Sequence, residues 1–213
     1  MYKRKRQFRP GLIALILLVL TVATIGVTTA KYVHQRNLPG QVTFTARLAD
    51  KLELAESRAD RLDNGEYTLA SDETVSENTY ILLPGTDIPK DPKITVTGKT
   101  PIEAYLFVKV TDETNEAITW QADAAHWVQV TGVHIADNEK LFVYKDKLTD
   151  QNCPTDPIPV LAGSRVTVSQ HLTEKDTPAL DELTFHAFLY EAIETDGVYA
   201  TPAEVYNTYN PAA

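Results

Sequence analysis

The chain has 213 residues, with 20 Lys and Arg against 29 Asp and Glu and one cysteine. Five of the basic residues lie within the first nine positions, so residues 31–213 carry 15 basic against 29 acidic side chains, a formal charge of −14. That balance argues against nucleic acid and anionic polymers as direct partners, and the lone Cys153 excludes a small disulfide-stapled extracellular class.

The chain opens MYKRKRQFRP, with Lys3, Arg4, Lys5, Arg6 and Arg9 and no acid. An uncharged run follows from Gly11 to Ala30, fully apolar from Leu12 to Leu20 and then diluted by threonines. A basic head, a short apolar core and a small-residue exit read as an N-terminal hydrophobic signal helix over residues 1–30. The expected cut falls after Thr28-Thr29-Ala30 and leaves Lys31 as the first residue of an exported product. The alternative is an uncleaved anchor, since the uncharged run is about long enough to span a bilayer. The basic residues stay on the cytoplasmic side in both cases.

Residues 31–40, KYVHQRNLPG, are polar and aperiodic and end at the Pro39-Gly40 break, so they read as a flexible N-terminal segment. Residues 41–213 suit one domain, large enough to bury a core without disulfides. In QVTFTARL, Val42, Phe44, Ala46 and Leu48 alternate with polar residues, the pattern of a strand with one buried face. Leu52 to Arg61 is charged and reads as a short surface helix. Asp63-Asn64-Gly65 is a turn signal before the strand candidate EYTL.

NTYILL, from Asn78 to Leu83, reads as a further strand that stops at Pro84-Gly85. Pro89 and Pro92 then crowd a loop before PKITVTG, where Ile94 and Val96 share a face. Proline has no N–H for a ladder, so Pro84, Gly85, Pro89 and Pro92 read as a structural loop with no chemistry of its own. IEAYLFVKV, Ile102 to Val110, is the most apolar strand candidate and is expected to be central. HWVQVTGVHI, KLFVYKD, SRVTVSQHL and DELTFHAFLYEA supply four more. Only TPAEVYNTY near the C-terminus reads as helix, with Thr201 as N-cap, Pro202 first in the helix and Glu204 as the third-position acid. About nine strands at short intervals and a single short helix imply an all-β fold, a jelly-roll-like β-sandwich.

Catalytic signatures are sparse. His34, His126, His134, His171 and His186 have no histidine three or four positions away, so HExxH and the reversed zinc motifs are absent. There is no GxSxG turn and no GxxxxGK loop. The acidic turns DETNE (Asp112–Glu116) and ETDG (Glu194–Gly197) offer oxygens for Ca²⁺ without the regular spacing of a calcium loop. Trp120 and Trp127 flank QADAAH and read as core residues ahead of a sugar-stacking platform. Cys153, in DQNCPTDP, reads as a passive thiol. No cofactor and no catalytic residue are expected.

Several of these features recur together: a signal ending TTA-KYV, a first strand VTFTARL, a strand ending ILLPGTDIPKDP, then ITVTG and EAYLFVKV, and finally LTFHAFLYEA before AEVYNTY. The arrangement resembles the TasA/camelysin family of Gram-positive exported proteins, whose signals are removed by a SipW-type signal peptidase. The resemblance implies a jelly-roll sandwich and a non-enzymatic subunit of extracellular biofilm-matrix fibres. It implies that the N-terminal segment of one subunit completes the sheet of the next, with Lys31, Tyr32, Val33, His34, Gln35 and Leu38 in the donor strand. The partners it implies are further copies of the chain and, during export, the signal peptidase. It also carries a second reading, a camelysin-like surface metallopeptidase. A monomeric extracellular binding module or adhesin is a third.

Overall fold

A computed structural model describes residues 51–100, 102–114, 116–171 and 182–211. The signal, the cut between Ala30 and Lys31, the segment from Lys31 to Leu38 and the strand expected at Val42–Leu48 lie outside the described residues.

The described fold is all-β with one short helix, its antiparallel sheets in a sandwich-like arrangement. The first sheet has the order β2-β1-β4-β9. Its strands are β1 (Leu52–Arg61), β2 (Tyr67–Val75), β4 (Lys93–Val96) and β9 (Ile158–Pro159). A small sheet runs β3-β10-β6, from β3 (Asp87–Pro89), β10 (Arg165–Val168) and β6 (Ile118–Thr119). The third runs β11-β5-β8-β7, from β11 (Leu183–Glu191), β5 (Ala104–Asp112), β8 (Glu139–Tyr144) and β7 (Trp127–Gln129). A two-residue hairpin, β12 (Glu194–Thr195) and β13 (Val198–Tyr199), precedes α1 (Pro202–Tyr209).

β5 is central, flanked by β11 and β8, as its apolar run requires. Both of its faces are covered. Ala104, Leu106, Val108 and Val110 join Ile94, Val96, Trp127 and Phe142 in the main core. Phe107 on the opposite face packs with Leu141, Val143 and the α1 residues Val205 and Tyr206. Burial on both faces is why this strand reads as a continuous apolar stretch instead of an alternation. Trp127 is buried with its indole donating to the Pro159 carbonyl at 2.8 Å. Trp120 is half-buried and donates to Asp112 Oδ2 at 2.7 Å.

α1 begins as the sequence implies. The Glu204 N–H donates to Thr201 Oγ1 at 3.3 Å, and the Thr201 N–H donates back to Glu204 Oε2 at 2.7 Å. This reciprocal capping box satisfies two donors that the first turn leaves free.

Three sequence expectations need correction. Leu52–Arg61 is β1, a strand and not a surface helix. Leu, Ala and Glu favour a helix locally, but pairing with β4 and β2 on its two sides overrides a preference of a few tenths of a kcal/mol per residue. Asn78–Leu83 forms no ladder. Its alternation is real, with Tyr80 and Leu82 packed inward and Ile81 and Leu83 exposed, but side chains take the place of a neighbouring strand. The Ile81 N–H donates to the Tyr67 hydroxyl at 2.7 Å. Asn78 accepts from the Ala59 N–H at 2.7 Å and donates to the Ser57 carbonyl at 2.8 Å, capping the β1 backbone. Finally, HWVQVTGVHI yields only the three-residue β7; beyond it, Gly132 takes a positive φ of 75°.

Candidate functional site: an open sheet edge

Every open sheet has edges, and an unpaired row of N–H and C=O groups is a template for another chain unless it is blunted. Most edges here are blunted. β2 is offset from β1 by a bulge between Ser57 and Ala59 and exposes Ser71, Asp72, Glu73 and Thr74. β9 is two residues long and ends in Pro159, and β3 is three residues long and ends in Pro89. β6 and β7 are two and three residues long.

β11 differs from all of these. It is nine residues long and pairs in continuous register with β5, from Leu183↔Asp112 to Glu191↔Ala104. From Leu183 to Tyr190 it contains no Lys, Arg, Pro or Gly and no bulge. Among the described residues β5 is its only ladder partner.

The hydrogen-bond parity of β11 follows from its ends. The Glu113 N–H donates to the Glu182 carbonyl at 3.1 Å and the Ala192 N–H to the Glu103 carbonyl at 2.9 Å. Even-numbered residues therefore turn their backbone groups toward β5, and Leu183, Phe185, Ala187, Leu189 and Glu191 turn theirs to the open side. The apolar side chains of that odd set point into the sandwich. Leu189 is buried, whereas Leu183, Phe185 and Ala187 are only partly covered. Among the described residues the edge thus presents a ladder with no second partner, beside incompletely buried apolar side chains.

The C-terminal end of β11 opens into a hollow of ≈ 470 Å³ whose lining includes Glu103, Glu191, Glu194 and Tyr199. Its wall is the β12–β13 hairpin, closed by Asp196 (φ 53°) and Gly197 (φ 80°). Two positive φ values in a two-residue loop are what an Asp-Gly hairpin turn supplies. The Tyr199 phenol is held well above its ordinary pKa, chiefly by its hydrogen bond to Glu103, with burial and Glu194 adding to it. Lys147 pairs with Glu103 and sets its ammonium 3.0 Å from the Tyr199 ring centroid. Glu103 is lowered by the bond from Lys147 first and by Tyr199 second.

The structural loop expected from the sequence is built from charged as well as rigid residues. Pro84-Gly85 forms a turn, Gly85 with φ 74°, in which the Thr86 N–H donates to the Leu83 carbonyl at 3.2 Å. The Pro89 carbonyl accepts from the Tyr80 hydroxyl at 3.0 Å, and the Pro92 carbonyl from the Val160 N–H at 2.9 Å. Between these prolines, Lys90 reaches the buried Glu56 at 2.9 Å under the rings of Tyr80 and Phe185. Asp91, 4% exposed, accepts from the Ser57 N–H and hydroxyl, each at 2.8 Å. The Lys90 and Asp91 contacts are invisible in the sequence, where PKDPK looks like an ordinary solvated turn.

The remaining candidates stay apart. His126 pairs with Asp123 at 3.0 Å, and His134, His171 and His186 lie on exposed surface. Among the described residues no three His, Cys, Asp or Glu side chains form a metal-sized group. Asp112, in the first acidic turn, spends its oxygens on Thr114 and Trp120. Cys153 packs against the core with its sulfur 3.7 Å from Thr100 Oγ1. A search for similar proteins finds no family model, no curated protein and no solved structure that matches the chain.

Proposed function

We propose that the protein is a secreted, non-enzymatic structural subunit that assembles by strand addition into extracellular fibres of the TasA-like kind. The basic head and apolar run of residues 1–30, with the small residues Thr28-Thr29-Ala30 at the expected cut, support export. The observation that carries assembly is the β11 edge: nine residues long, free of Lys, Arg, Pro and Gly, and paired on one side among the described residues. Strand addition supplies main-chain hydrogen bonds along such an edge, while alternate side chains of the incoming strand cover the partly buried apolar positions. The donor is the Lys31–Pro39 segment of a second copy.

The test is electron microscopy and gel filtration of Lys31–Ala213 across concentration, beside a chain that begins at Gly40. Filaments formed by the longer chain and lost in the shorter one are the expected result. Filaments in both would remove the donor role from this segment, and monomers in both would sink the fibre reading.

A further inference from the structure

The open edge and the acidic hollow meet at Glu191, the last residue of β11 and one of those whose backbone faces the open side. We propose that this hollow is the receptor for the processed N-terminus of a second copy, with Lys31 of the incoming strand seated among Glu191, Glu194 and Tyr199. This rests on the strand-addition reading above and adds to it a direction, a register and a dependence on processing.

The argument begins with charge. Cleavage after Ala30 leaves Lys31 with both an α-ammonium and a side-chain ammonium on one residue, within a segment that has no acid. The rest of the exported chain is strongly acidic, so the doubly charged terminus is the most cationic point that a copy can offer. The hollow offers the complement: three carboxylates and a phenol ring in ≈ 470 Å³, room for a long side chain. The protein already seats one ammonium there, since Lys147 lies between Glu103 and the Tyr199 ring. Carboxylate and aromatic face together are a chemistry that suits an alkylammonium. Among the described residues no cation pairs with Glu191 or Glu194.

Seating Lys31 at Glu191 makes the incoming strand antiparallel to β11. Tyr32 then lies opposite Tyr190 and Val33 opposite Leu189, followed by His34 opposite Phe188 and Gln35 opposite Ala187. Val33 points to the same side as Leu189, into the sandwich, and Tyr32 extends the aromatic group of Tyr190, Phe188 and Tyr206 on the other face. Tyr32 and Val33, the two apolar residues nearest the start of the donor, thus meet the two apolar faces at the first positions of the ladder. An unprocessed chain cannot present an α-ammonium at this position, so removal of the signal becomes the step that licenses assembly.

A charge-swap series on protein exported from its own leader tests the proposal, with the critical concentration for assembly as readout. Glu191→Lys and Lys31→Glu should each raise that concentration roughly two- to fivefold, the scale of one exposed ion pair. The chain carrying both changes should return to the parent value, because every copy is both donor and receptor. Acetylation of the Lys31 amine should weaken assembly in the same direction, and Glu182→Lys at the opposite end of β11 should leave it unchanged. If Glu191→Lys folds poorly, Glu191→Gln carries the test. A double variant no better than the single ones overturns the register, and a larger effect from Glu182→Lys reverses the direction. Hydrogen exchange separates the two levels. Protection of the Leu183, Phe185 and Ala187 amides in assembled material keeps strand addition standing when the swap fails. Loss of that protection sinks both.

Discussion

Single side chains take over where backbone ladders stop. Beyond its pairing with β4, the β1 edge is capped by Asn78 and Asp91. Asn78→Ala leaves the Ala59 N–H and Ser57 carbonyl without partners in a part-buried place, and a loss of about 1–3 kcal/mol in denaturant unfolding is expected. Glu56→Ala is more severe, because it strands Lys90 beneath two aromatic rings; about 3–5 kcal/mol is expected. Acid should act through Asp112 and Glu139. Burial pushes Asp112 up, but the Thr114 and Trp120 hydrogen bonds outweigh it and hold the carboxyl below its ordinary 3.8. Burial likewise opposes Lys109 at Glu139, and the net result lies below 4.5. Because the unfolded chain takes up these protons first, the stabilisation is complete above those ordinary values and is lost as pH falls through and below them. The thermal midpoint should therefore drop on acidification below about pH 4.5. Asp112→Asn with Glu139→Gln should flatten that drop, and an undiminished drop would assign it to other groups.

Elements were legible in proportion to how much of their stability is local. The α1 capping box could be read residue by residue from TPAEVYNTY, because every group in it lies within four positions. Thr201→Ala should cost about 1 kcal/mol, detectable as a lower thermal midpoint and lost helical signal at the C-terminus. β5 was legible for a related reason, since burial on both faces leaves an unbroken apolar run. Phe107→Ala, which opens the space between β5 and α1, should cost about 3–5 kcal/mol. β1 was misread because Leu, Ala and Glu favour a helix locally while pairing with both β2 and β4 decides its state, and Asn78–Leu83 because alternation reports side-chain direction and not whether a neighbouring backbone exists. The PKDPK loop looked like a spacer because Glu56 and Lys90, separated by 34 positions, give no local sign of pairing.

At the scale of the molecule, composition and strand spacing were enough to give an all-β sandwich, but strand order was not. That order is what makes the candidate site. LTFHAFLY reads in the sequence as one strand candidate among several, and only the placement of β11 beside β5 and at the rim of its sheet among the described residues turns it into a candidate edge. Ala187 is the position at which to probe it. Its N–H faces the open side, so a proline there removes no hydrogen bond from the β5 ladder while deleting a donor that an added strand requires. The most direct measurement is therefore sedimentation and electron microscopy of Lys31–Ala213 carrying Ala187→Pro, beside the parent chain and with thermal unfolding of both monomers. The account predicts filaments from the parent and a folded monomer from the variant. Filaments of equal yield from Ala187→Pro would contradict it and move assembly to another surface.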